Sequence, residues 1–277
     1  MKHPVMRYHG SKFRLAPWIQ SFFPPHHTYV EPFGGAAGVM LQKKRSMSEV
    51  YNDMDGDVVN VFRVLRGPDT AKQLQRLIAL TPYSREDFKL SHSRTDDPIE
   101  NARRVLVAAA MGFGSAGATK HTTGFRIDSA RKYGTAAHLW GEYPEEIMHF
   151  CDRFKNVVIE NKPAADVIAN HNRADTLFYV DPPYLHSTRN MGGNRGYYRH
   201  EMTDADHEEL LVLLKSVDGS VIVSGYDNEL YNDLLAGWAK YSKKSRISAG
   251  RGTAIRMENV WLNSRCQRNQ AQMRLFG

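Results

Sequence analysis

The chain is poor in cysteine: 277 residues contain two, Cys151 and Cys266, and they form no Cys-x-x-Cys pair. That argues against a disulfide scaffold and against a cysteine-based zinc site. Reduced thiols in a cytosolic protein are the plain expectation. Twelve histidines are present without zinc-ligand spacing; His26-His27 follows two prolines and reads as a loop pair, so no metal is expected. No apolar run approaches the ~20 residues that span a bilayer. Met1-Lys2-His3-Pro4 is too polar to open a signal peptide, so a cytoplasmic location is expected. Repeats and low-complexity tracts are absent. Acids are in modest deficit: 37 Lys and Arg against 30 Asp and Glu give a net charge of +7, which mildly favours a polyanionic partner. At 42% hydrophobic, the chain can bury a sizeable core, as one large domain or one domain carrying an insertion.

What is present alternates between strand and helix signals. Thr28-Tyr29-Val30-Glu31-Pro32 reads as a strand. Phe33-Gly34-Gly35-Ala36-Ala37-Gly38 is a glycine-rich turn, and a helical run through Val39, Met40 and Leu41 is expected after it. Ser48 to Asp53 is a second short strand. Val58, Val59, Val61, Phe62 and Leu65 then keep helical spacing. Strand, glycine turn, helix, strand and acid, in that order, begin a doubly wound nucleotide-binding sheet. Residues 67–150 break the pattern with helical stretches such as Ile99 to Met111, and are expected to form an inserted, mostly helical subdomain. The Gly- and Thr-rich loop from Gly112 to Arg126 has the length of a binding loop. The α/β pattern returns at Asn156 to Glu160, with a helix through Ala165 and Ile168. Further strands are expected at Thr176 to Val180, Ser220 to Ser224, Lys240 to Ile247 and Glu258 to Asn263. Thr203 with Asp206 resembles an N-cap pair ahead of a helix carrying Leu210, Leu211, Leu213 and Leu214.

The most informative segment is Asp181-Pro182-Pro183-Tyr184, directly after an apolar strand. Two prolines stop the ladder and stiffen the exit. A carboxylate and an aromatic ring are thereby held at the carboxyl end of a strand, where open α/β sheets bind ligands. Chemistry on the exocyclic amine of a flipped base needs an acceptor and a stacking surface. Alone, the tetrapeptide also admits the less favoured reading of a rigid strand-to-loop exit.

Four segments, taken in order, resemble the Dam-like DNA adenine methyltransferases, of bacterial, phage or prophage type. They are Arg7-Tyr8-His9-Gly10-Ser11-Lys12, Glu31-Pro32-Phe33-Gly34-Gly35-Ala36-Ala37-Gly38, Asn52-Asp53-Met54-Asp55, and Asp181-Pro182-Pro183-Tyr184. Ser224-Gly225-Tyr226 and Arg256 through Asn263 resemble later family segments. Three positions depart from the pattern: Tyr8 for a common Trp, Ser11 for a Gly, and Gly-Gly-Ala-Ala-Gly for Gly-x-Gly. The resemblance implies a Rossmann-like methyltransferase sheet with helices on both faces, residues 1–66 and 151–277 forming the catalytic domain and 67–150 the target-recognition region. It implies transfer of a methyl group from S-adenosylmethionine to adenine N6 in double-stranded DNA, leaving S-adenosylhomocysteine; a monomer is the simpler expectation, because one base is modified per visit. Tyr8, Lys12, Glu31, Phe33, Gly34, Gly35, Gly38, Asp53 and Asp181 are the implied cofactor residues.

Read for chemistry, Asp53 is in the position where such folds place a ribose acceptor, although Asp is also a favoured helix cap; Asp55 is the better cap candidate. Asp181 and the carbonyl of Pro182 would accept from the adenine amine, and Tyr184 would stack on the base. The basic segment from Leu185 to His200 contains Arg189, Arg195 and Arg199, expected near phosphates. Lys120, Arg126, Arg131 and Lys132 form a second basic cluster, also expected on DNA. The alternatives are methylation of a cytosine or RNA amine, a catalytically silent DNA-binding homologue, and a nicotinamide-dependent dehydrogenase. The missing Gly-x-Gly-x-x-Gly argues against the last, and Asp181, Tyr184 and Asp53 argue against the silent homologue.

Overall fold

The computed structural model describes residues 3–93, 95–114, 117–118, 123–127, 134–188, 198–249 and 252–268, with backbone alone at 246–249 and 252–254. Among these residues, seven strands form one sheet in the order β3-β2-β1-β4-β5-β7-β6. They are β1 (Thr28–Glu31), β2 (Ser48–Asn52), β3 (Val157–Glu160), β4 (Thr176–Val180), β5 (Ser220–Gly225), β6 (Ala239–Ala249) and β7 (Gly252–Leu262). Only β7 is reversed, antiparallel to both β5 and β6. The sheet is Rossmann-like and doubly wound, as the alternation of signals implied.

The continuous apolar runs explain the layering. In a parallel sheet covered on both faces, neighbouring side chains along a strand enter opposite cores. Tyr29, Leu177, Tyr179 and Ile222 enter one core; Val30, Phe178, Val180, Val221 and Val223 enter the other. The first core is shared with α1 (Ala16–Gln20), α2 (Gly56–Arg66), α3 (Pro68–Ala79), α4 (Arg85–Leu90), α5 (Pro98–Met111) and α6 (Ala136–Phe154). The second is closed by α7 (Ala164–Asn170), α8 (Asp204–Ser216) and α9 (Glu229–Leu234). The helices between β2 and β3 therefore lie on the same core as the sheet. Gly67 is the N-cap of α3 and residue 150 falls inside α6, so neither expected limit of the insertion coincides with a break in packing.

Caps fix the helix starts. Thr203 and Asp206 form a complete capping box on α8, and Asp55 caps α2 by accepting from the Asp57 amide at 3.0 Å. One expected helix is missing. Residues 39–41 lie in consecutive turns after Gly35 (φ 47°) and Ala37 (φ 52°). The Met40 carbonyl accepts from Arg153 of α6, at 3.1 Å from Nε and 2.6 Å from Nη2. A guanidinium 113 residues away satisfies a carbonyl that a helix would have used. Cys151 and Cys266 are both free and buried. His26 bonds the Pro24 carbonyl and Ser46, a loop contact. Among the described residues no metal-competent cluster occurs, and no helix is long and apolar enough to cross a membrane.

Candidate active site

Sheet order brings the glycine turn and the Asp-Pro-Pro-Tyr segment together. The order in which strands are added reverses between β1 and β4, which pair in parallel with Val30 opposite Phe178. Glycine turn and tetrapeptide leave the carboxyl ends of these neighbours, on the two sides of the switch point where such folds bind ligands.

Around Asp181 the contacts are specific. Its Oδ1 accepts from Ser224 Oγ at 2.7 Å and lies 3.0 Å from Lys12 Nζ. Ser224 also meets the Tyr179 hydroxyl at 3.0 Å. Among the described residues Oδ2 has no hydrogen-bond partner, and neither has the Pro182 carbonyl. Lys12 is 5% exposed, donates to the Gly10 carbonyl at 2.7 Å and sits 4.7 Å from the Tyr184 ring centroid. Burial pulls its ammonium down, but the charges of Asp181 and Glu258 outweigh that and raise its pKa. The resemblance placed Lys12 among the cofactor residues; in the fold it meets the Asp181 carboxylate. Tyr184 donates to Glu258 Oε2 at 2.8 Å and meets Tyr226 edge-on at 4.6 Å. Burial foremost, and then Glu258, hold its hydroxyl well above the ordinary phenol range.

The glycine turn is packed against aromatic rings. A Cβ on Gly34 would fall 2.1 Å from Tyr51 Cε2, and one on Gly35 2.9 Å from the Tyr8 ring. Tyr51 donates to the Gly35 carbonyl at 2.7 Å. Asp53 closes the turn from the other side. Its Oδ2 accepts from the Gly35 amide at 2.8 Å and its Oδ1 from the Asp55 amide at 2.9 Å. Burial pushes its carboxyl up to about 6. Glu31 accepts from the Tyr29 hydroxyl at 2.6 Å, and burial pushes it up to about 7. It is 2% exposed, so it braces the β1 exit from within. Phe33 is half-buried against the second core.

Two buried polar atoms of the first motif lack partners, and one of them lies beside this turn. Ser11 Oγ and Arg7 Nη1 are buried without hydrogen-bond partners among the described residues. Ser11 Oγ lies 3.1 Å from the position of a Gly38 Cβ. Orphaned buried donors are costly unless something fills them. The carboxylate of a bound amino-acid moiety has the right chemistry. Neither residue had been singled out for this; only burial discloses the signal.

The basic residues divide. Lys120, Arg131, Lys132, Arg189 and Arg195 lie outside the described residues. Arg126 is 8% exposed, because it lies where the loop returns to bond the end of α5, its amide donating to the Met111 carbonyl at 2.7 Å. Arg199 pairs with Asp55 at 3.2 Å and with Asp57. Its guanidinium thus faces carboxylates. Tyr198 lies 6.1 Å from the Tyr8 ring and donates to the His9 carbonyl at 3.2 Å. The segment after the tetrapeptide therefore returns onto the first motif.

A model of the D12 class N6 adenine-specific DNA methyltransferases matches residues 8–249. The chain belongs to this family. That class is one of adenine-specific DNA methyltransferases, so the nicotinamide alternative falls away. DNA adenine methylase of Vibrio cholerae serotype O1 is 23% identical over 262 residues, covering 89% of this chain and 91% of that one. Modification methylase LlaI of Lactococcus lactis subsp. lactis is 26% identical over 222 residues. That match takes in 78% of this chain and 35% of the methylase, so the chain spans about a third of that relative. A solved precorrin 8W decarboxylase from Methanobacterium thermoautotrophicum covers 91% of the chain at 12% identity with a TM-score of 0.34, a likeness too slight to bear on fold or function.

Proposed function

We propose that the chain methylates the N6 amine of a flipped adenine in double-stranded DNA, with Asp181, Pro182 and Tyr184 holding the base. The observation that carries this reading is the division of the Asp181 carboxylate. Ser224 and Lys12 occupy Oδ1, which leaves Oδ2 and the Pro182 carbonyl as two acceptors for two amine hydrogens. Adenine's amine is a weak nucleophile because its lone pair is delocalised into the ring. Two acceptors favour a tetrahedral, positively charged nitrogen, and so act more strongly in the transition state than in the ground state. Asp181 Oδ2 is also in place to take the proton that the methylated nitrogen must shed. The Tyr184 ring, fixed by Glu258 and Tyr226, offers the base a stacking face.

S-adenosylmethionine, when bound, supplies the methyl group on a sulfonium. Tyr8, Gly34, Gly35, Gly38 and Asp53 would line its site, with Asp53 directed to ribose hydroxyls and Ser11 and Arg7 to the carboxylate. Lys12 is assigned to Asp181 and Glu31 to bracing β1. This reading takes a single chain as the acting unit, since one base is modified per visit, and a prokaryotic cytoplasm as its setting, in keeping with bacterial relatives. The segment 67–150 is its target-recognition region. The test is incubation with labelled S-adenosylmethionine and unmodified duplex DNA, followed by digestion to nucleosides. N6-methyladenine is expected from the wild type and a small fraction of that yield from Asp181→Ala. No transfer by the wild type, equal transfer by the variant, or methylation of cytosine instead would overturn the reading.

A further inference from the structure

Strands β6 and β7 outrun the sheet they belong to. β7 pairs with β5 only from Asn259 to Leu262, whereas its pairing with β6 continues to Gly252. Residues 252–258 and their β6 partners therefore project beyond the carboxyl ends of the parallel strands, by roughly 24 Å at ~3.4 Å per residue. Residues 241–257 contain five cations, Lys243, Lys244, Arg246, Arg251 and Arg256, and no acid. The root of this arm walls the adenine pocket: Glu258 accepts from Tyr184, and Arg256 donates to the Thr188 carbonyl at 3.0 Å and lies over the Tyr226 ring. Further out, Lys244 is exposed and pairs in register with Met257. Met257 is 43% exposed and Ile255, on the same face, 66%. Lysines on an edge strand commonly serve to block sheet-to-sheet association. That function does not call for large apolar side chains laid open beside them.

We propose that the β6–β7 arm is a second DNA contact, with Lys244 on a phosphate and Ile255 and Met257, on the face of the arm opposite Arg256 and Glu258, against the sugar or groove wall. Basic side chains anchor a β-ribbon on the backbone while apolar ones exclude water from the groove. The inference rests on the reading of the chain as a DNA methyltransferase. It adds a contact surface outside both the tetrapeptide and the 67–150 segment.

Equilibrium binding of the full chain to a duplex across a salt series tests it. Each lost phosphate contact lowers the slope of log K against log salt by about 0.9 and weakens binding on the order of fivefold near physiological salt. Lys244→Gln should show both effects, with kcat and S-adenosylmethionine affinity unchanged. Ile255→Ser with Met257→Ser should weaken binding at every salt concentration and leave the slope alone. Lys215→Gln, at the far end of α8, should change neither. Unchanged slope in Lys244→Gln together with unchanged affinity in the double serine variant overturns the arm, even where the wild type methylates adenine. A wild type that binds DNA without methylating it sinks the catalytic reading while the slopes still decide the arm. A wild type that does not bind duplex sinks both.

Discussion

Asp181 carries a structural load and, in the proposed reaction, a chemical one, and two substitutions separate them. Asp181→Ala strands the Lys12 ammonium, whose remaining acceptor is the Gly10 carbonyl at 2.7 Å. Removing one partner of a buried ion pair costs about 3–5 kcal/mol. The Asp181 side chain is 17% exposed and the Gly10 bond survives, so the low end, about 3 kcal/mol, applies. Asp181→Asn keeps an oxygen toward Ser224 and Lys12 and exchanges a charge-assisted bond for a neutral one, a loss of about 1 kcal/mol. Its amide nitrogen then points to the adenine amine, donor against donor. Transfer should fall about 10²–10³-fold or more in both variants, as when a preorganised electrostatic group is lost. Denaturant unfolding and single-turnover methylation read the two loads independently. Lys12→Met combined with Asp181→Ala should regain most of the stability and none of the activity. Equal stability of Asp181→Ala and Asp181→Asn, or transfer by Asp181→Asn comparable to wild type, would refute the assignment.

Glu31 and Asp53, pushed up to about 7 and about 6, hold protons in the folded chain that the unfolded chain releases at lower pH. Stability should therefore decline as pH rises from the ordinary carboxylate range to about 7 and level off above it. Glu31→Gln should remove a share of about 3 kcal/mol from that decline, measured by denaturation across pH; an undiminished decline would count against the burial argument. Gly34→Ala forces a methyl onto the Tyr51 ring, which is fully buried and 4.3 Å from Phe62. A loss of about 1–3 kcal/mol and weaker S-adenosylmethionine binding are expected by calorimetry, and wild-type stability would refute the packing. Thr203→Ala breaks the capping box on α8 and should cost about 0.5–2 kcal/mol in a denaturant titration, with binding of S-adenosylmethionine intact.

The strands and their order of appearance were legible because β-branched and aromatic runs buried on both faces admit few other readings. Tyr29 and Val30, adjacent in sequence, enter different cores, as a doubly covered sheet requires. The tetrapeptide was legible because proline writes its constraint locally. What was not legible depends on partners distant in sequence. The turns at 39–41 stand where a helix was expected, and the Met40 carbonyl there is taken by Arg153 of α6. Arg199 has the composition of a phosphate contact, yet the fold sets it beside Asp55 and Asp57. Lys12 has no local sign of an acidic partner until β4 is seated next to β1, which brings Asp181 to its Nζ. The same topology governs the proposed chemistry. An Asp after a strand has two equivalent oxygens, and nothing local distinguishes them. Ser224, at the end of β5, meets Oδ1 because β5 pairs with β4 in parallel, Val223 opposite Val180. The identity of the acid is thus a local property of the sequence, whereas the choice of which oxygen remains for the adenine amine is a property of the sheet.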